Sequence, residues 1–128
     1  MKGMSVGMSA STTRTFSDDD RRAYLALSGA SGDDREGAKH RVPEALIGGM
    51  FSYILGTELP GFGTNYLKQR MEYRQPAFYG EALTATVTIT RLREDKNLVN
   101  LETVCRNAAG DMLVTGEALV LAKDVAPR

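Results

Sequence analysis

Residues 30–41 concentrate groups able to move protons: Asp33, Asp34, Glu36 and His40, with Glu44 four residues further on. His40 is the sole histidine among the 128 residues. An imidazole beside a carboxylate supplies a base that works near neutral pH and a proton donor, which is what general acid–base chemistry asks for. The same carboxylates also fit solvated loop charges, and His40 fits a residue that merely flanks a helix. Glu44 falls where a helix begins, a position that favours an acid without any chemistry; read chemically, it is a base for water. Ser52 can hydrogen-bond a water or a substrate, or bond back to a helix carbonyl. Cys105 is in phase with Val99 and Leu101 on an expected strand and reads as a small buried hydrophobe rather than a nucleophile.

The element nearest these groups is the apolar run from Val42 to Gly56. Pro43 suits the first helical position and Gly56 the left-handed residue that ends a helix, so a helix is expected over 43–55. Its residues are apolar on every face, which predicts a helix enclosed by protein. It is too short for a bilayer, which takes roughly 20 apolar residues. Gly48 and Gly49 each cost on the order of 1 kcal/mol against alanine in a helix. They therefore predict that a sheet or a ligand comes close to this backbone.

Around the helix the chain reads as strands. A short strand is expected over 11–16, then a helix capped by Ser17, with Asp18, Asp19 and Asp20 in its first turn. Ala23, Tyr24, Ala26 and Leu27 give that helix an apolar stripe, and Ser28-Gly29 ends it. Residues 66–74 alternate a wet face with a mainly apolar one. Leu83, Ala85, Val87 and Ile89 alternate with threonines, and the phase slips near Arg91, as at a bulge. Residues 98–106 and 112–122 form the last two strands. Hairpin-sized connections between these strands predict an antiparallel sheet, and only that sheet can cover the apolar helix. The expected class is α+β, a curved antiparallel sheet wrapped around one central helix.

Composition narrows the function classes. Sixteen basic and sixteen acidic residues cancel, so no overall field favours nucleic acid or an anionic membrane. One cysteine excludes an internal disulfide and a multi-cysteine zinc site and fits a reducing cytoplasm. No metal and no cofactor is expected. The first residues have no continuous apolar stretch, so no signal peptide is expected. Residues 1–10 read as a flexible leader and 11–128 as one domain.

The run from Phe51 to Gln69, with Ser52, Leu55-Gly56, Leu59-Pro60-Gly61-Phe62-Gly63 and Tyr66-Leu67-Lys68-Gln69, resembles the MaoC-like, (R)-specific enoyl-CoA hydratase family. Arg74-Gln75-Pro76, Tyr79-Gly80-Glu81, Thr115-Gly116-Glu117-Ala118 and the opening Phe16-Ser17-Asp18 extend the likeness. The resemblance implies the hotdog fold and an acyl-thioester site. In that family a loop reading Gly-Asp-x-Asn-Pro-x-His holds and deprotonates the water that adds to the double bond. Here Ala30 and Arg35 stand at the Asp and His positions, the loop is shorter, and Pro43-Glu44 replaces a His-Gly at the helix start. Ser52 carries over directly. The resemblance sets residues 30–41 beside the active site, which makes His40, Asp33, Asp34, Glu44 and Ser52 the catalytic candidates. Gly48, Gly49 and Phe51 are the substrate-binding candidates, with the acyl portion beside the helix.

The activity expected first is hydration of an enoyl thioester, or the reverse dehydration of a 3-hydroxyacyl thioester, on coenzyme A or an acyl carrier. A thioesterase, with Glu44 or a loop aspartate activating water, and a non-catalytic thioester-binding protein are the alternatives. The unpaired edge of a lone hotdog sheet predicts a homodimer or a larger homo-oligomer.

Overall fold

The computed structural model describes residues 3–125. The elements run β1 (Ser9–Thr15), α1 (Asp18–Ser28), β2 (Arg35–Glu36), β3 (Lys39–His40), α2 (Glu44–Thr57), β4 (Asn65–Tyr73), β5 (Ala82–Arg93), β6 (Leu98–Asn107) and β7 (Met112–Leu121). Five strands form one antiparallel sheet in the order β1-β5-β6-β7-β4. The expected α+β architecture holds. The central strands meander through short turns, while the strands before and after α2 take the two edges, which lets α2 lie across the sheet.

Alternation dictates which face meets α2. Leu83, Ala85, Val87 and Ile89 of β5 are buried, as are Val99, Leu101 and Cys105 of β6 and Val114, Ala118 and Val120 of β7. Against them α2 packs Ile47, Met50, Phe51, Ile54 and Leu55. Each such side chain contributes about 1.5–3 kcal/mol by leaving water. The register slips between Ile89 and Arg91, where the threonine alternation predicted a bulge.

Several local expectations need correction. Helix α2 is not enclosed all round: Ala45, Gly49, Ser52 and Tyr53 are exposed, because one sheet covers only one side of a helix. Gly56 lies inside α2, which runs on to Thr57, and Pro43 is the N-cap rather than the first helical residue. On α1 the capping box forms between Ser17 and Asp20, and Gly29 ends the helix at φ 71°. The inward face of α1 is Arg21, Tyr24 and Leu25, however, while Leu27 is 89% exposed. Strand β1 begins at Ser9, so residues 9 and 10 pair with β5. Residues 35–40 of the expected loop form a small hairpin. The β4 strand bulges at Leu67 and is mostly exposed on both faces, as an edge strand is.

Two glycines of the quoted motifs are demanded by close backbone approach. A Cβ on Gly116 would lie 1.9 Å from the Arg70 carbonyl oxygen, so only glycine lets β4 and β7 meet there. Gly63 sits at φ 96°, and a Cβ on it would lie 2.4 Å from the Asp124 carbonyl oxygen. Gly48 and Gly49 are different. A Cβ at Gly48 would make an ordinary 3.5 Å contact with the Met71 methyl, and at Gly49 it would meet nothing within 4 Å. Within the protomer no sheet crowds this backbone.

Candidate active site

The β2–β3 hairpin brings together residues that the chain separates. Arg35 pairs with His40, and at the neck the Arg41 N–H donates to the Asp34 carbonyl at 2.8 Å. The Tyr79 N–H donates to the His40 carbonyl at 3.0 Å, and the Val42 N–H to the Ala77 carbonyl at 2.7 Å. These bonds moor the hairpin to the segment before β5 and set its neck over the start of α2.

There Asp34 is held from two sides. Its Oδ1 lies 2.5 Å from His40 Nδ1. The Arg21 guanidinium donates from Nε to Asp34 Oδ2 at 2.8 Å and from Nη2 to Oδ1 at 3.2 Å. The guanidinium hydrogen bond, more than the one from His40, holds the Asp34 carboxyl below the usual carboxylate range against the opposing effect of desolvation. Asp34 is therefore ionised at neutral pH.

A cavity of about 460 Å³ opens at this point, between the loop, the first turn of α2 and the segment after β4. Asp33, Asp34, Glu36, Arg41, Glu44, Ile47, Tyr73 and Arg74 are on its wall, and Tyr24 and Leu25 reach it from α1. In the first turn of α2 the Leu46 N–H donates to the Pro43 carbonyl at 3.1 Å, while the N–H groups of Glu44 and Ala45 precede any intrahelical acceptor and Pro43 supplies no side-chain cap. Tyr73 donates from Oη to the Glu44 carbonyl at 3.3 Å. Burial first, then the nearby Glu44 charge, pushes its phenol up to about 12, so it stays protonated and can only donate or accept as a hydroxyl.

Of the candidate residues, Asp33, Asp34 and Glu44 share this wall. His40 is not on it; its imidazole is 34% exposed and bonded to Asp34. Ser52 is exposed elsewhere on α2, and Phe51 is fully buried in the core. Gly49 borders a second cavity, of about 520 Å³, between α2 and β1, where Thr12, Arg14, Phe16 and Tyr53 also lie. Arg21 is not among the residues that the sequence singles out. Its spacing from Tyr24 and Leu25, three and four residues on, is the signal that could have found it, since those positions share one helix face. Among the described residues no cluster of three or more His, Cys, Asp or Glu could hold a metal, and no helix is long and apolar enough to cross a membrane.

No family model matches the chain. An (R)-specific enoyl-CoA hydratase of Aeromonas caviae is 44% identical over 75 residues, covering 59% of this chain and 56% of that protein. Another from Rhodospirillum rubrum is 33% identical over 124 residues, covering 90% of this chain and 85% of that one. The solved (R)-hydratase of A. caviae involved in PHA biosynthesis superposes with a TM-score of 0.87 at 33% identity, over 94% of this chain and 98% of that one. Sequence and fold thus both match relatives over nearly the whole chain. The chain belongs to the (R)-specific enoyl-CoA hydratase family.

Proposed function

We infer that this chain is a lyase of the hydratase/dehydratase type, adding water to a trans-2-enoyl thioester or removing it from a 3-hydroxyacyl thioester. The observation that carries this reading, beside family membership, is that Asp34, on the wall of the cavity over the α2 N-terminus, bonds His40, which lies outside that wall. The thioester carbonyl lies against the first turn of α2, where unpaired N–H groups and the helix dipole favour the developing enolate oxygen. Asp34 and His40 act as a unit, taking a proton from the water that attacks the β carbon while a proton is delivered to the α carbon. Asp33 and Glu44 hold that water on the same wall. The acyl part runs beside α2, where Gly49 leaves open space.

The carrier is coenzyme A or an acyl-carrier protein, and the enzyme works in the cytoplasm. Two copies join through the β4 edge. Support for that edge over β1 comes from its side chains: β4 exposes Tyr66, Leu67 and Tyr73, whereas β1 is mostly serine and threonine. The test of the activity is crotonyl-CoA with two readouts, enoyl absorbance and free thiol. Loss of absorbance without thiol release is the expected result. Thiol release would make the protein a thioesterase, and silence across a series of acyl lengths on both carriers would make it a binding protein.

A further inference from the structure

We propose that Arg21 is a positioning residue of the reaction: by gripping Asp34 with two N–H groups it fixes the carboxylate against His40 and decides which imidazole nitrogen carries the proton. This rests on reading the cavity at the α2 N-terminus as the hydration site. Arg21 reaches across from α1 and makes three contacts there, to Asp34 Oδ2 at 2.8 Å, to Asp34 Oδ1 at 3.2 Å and to the Gly32 carbonyl at 3.2 Å. Its side chain is 15% exposed and that of Asp34 19%, so the pair is largely shielded from water. A planar guanidinium donating through two nitrogens sets the plane of the carboxylate as well as its place, which an ammonium cannot do.

The consequence falls on His40. An ionised carboxylate has only lone pairs to offer, so the 2.5 Å contact at Oδ1 requires a hydrogen on His40 Nδ1. A neutral imidazole with its hydrogen on Nδ1 carries its lone pair on Nε2. The base is then Nε2, and Arg21, two contacts away, selects it. The same Nη2 group that holds Asp34 also donates to the Gly32 carbonyl, which ties the loop to α1 at a second point.

The sole histidine makes the test direct, since the protein has one imidazole to observe. Long-range proton–nitrogen spectra of the neutral ring, on the parent, on Arg21→Met and on Arg21→Lys, report which nitrogen carries the hydrogen. The expected result is the Nδ1–H form in the parent and a shift of population toward Nε2–H in both variants. On an enoyl thioester, kcat falls by roughly 10-fold or more, as when a catalytic histidine loses its tautomer, while KM moves far less. Arg21→Lys keeps the positive charge and so guards against a fold lost with it, yet it does not restore the ring state. A parent-like ring and kcat in a folded variant would overturn the proposal. If the parent proves inactive on thioesters the hydratase reading fails, and the ring spectra still decide whether Arg21 sets the tautomer.

Discussion

Asp34 Oδ1 and His40 Nδ1 meet at 2.5 Å across the neck of a two-residue-strand hairpin, six positions apart in sequence. The contact forms in a loop whose sequence lacks the run Gly-Asp-x-Asn-Pro-x-His. The short loop folds back on itself, and Arg21 on α1 supplies the charge that a carboxylate in this shielded place requires.

Acid should loosen this arrangement. The folded-state pKa of Asp34 is depressed, chiefly by the hydrogen bond from Arg21. Its contribution to stability is therefore fully present above the ordinary carboxyl pKa of about 3.9, and is lost as pH falls through the lower folded value. Melting temperatures of the parent and of Asp34→Asn, measured from pH 7 to pH 2, should differ by a constant amount above about pH 5 and converge below it. A gap that does not narrow at all between pH 5 and pH 2 would assign the effect to packing instead.

The glycines separate into two kinds, and alanine tells them apart. At Gly116 the new Cβ would meet the Arg70 carbonyl oxygen at 1.9 Å, so β4 must move off β7. A cost of about 2 kcal/mol or more is expected in urea unfolding, in line with forced overpacking. At Gly49 nothing stands within 4 Å, and the helix should gain roughly 0.5–1 kcal/mol. Equal effects at the two sites would contradict the packing described.

Cys105 should be inert in the native protein. It is fully buried on β6, and burial pushes its thiol up to about 11. Labelling by a disulfide reagent at pH 8 is expected to run at least about 100-fold slower native than in denaturant, because it waits for the sheet to open. Rapid native labelling would mean that β6 is not the covered strand it is here.

The proposed pairing of two copies through the β4 edge can be tested at Leu67. Leu67 is 53% exposed at the bulge, and a lysine there would set a charge in a strand-to-strand joint. Light scattering should give a dimer for the parent and a lighter species for Leu67→Lys. A parent that stays monomeric at working concentration would remove the shared edge from the account.

The fold was readable because its signals are local. Threonine alternation in β5, the Ser17 cap and the apolar run of α2 each follow from a fixed period or a turn residue. The bulge near Arg91 was visible as a slip of phase. What could not be read is how far one sheet reaches: the apolar positions of α2 gave no sign that Ala45, Gly49 and Tyr53 would be left uncovered. On α1 the alanines and Leu27 drew the stripe to the wrong face, because Arg21 counts as polar although its charge is spent inward on Asp34. The candidate site was legible only as a cluster of residue types in one loop, of which Asp33, Asp34 and Glu44 share the cavity wall. Its wiring was not, since the Asp34–His40 contact depends on a hairpin too short to announce itself by periodicity.

The most direct test of the central claim, that the rebuilt loop supplies the proton-transfer group, is hydration of crotonyl-CoA by the parent and by His40→Ala. The account predicts that the variant keeps the melting temperature to within a few degrees and loses roughly 100-fold or more in kcat, as on removal of a general base. Full turnover in a folded His40→Ala protein would contradict it and pass the role to Glu44 or Asp33 on the cavity wall.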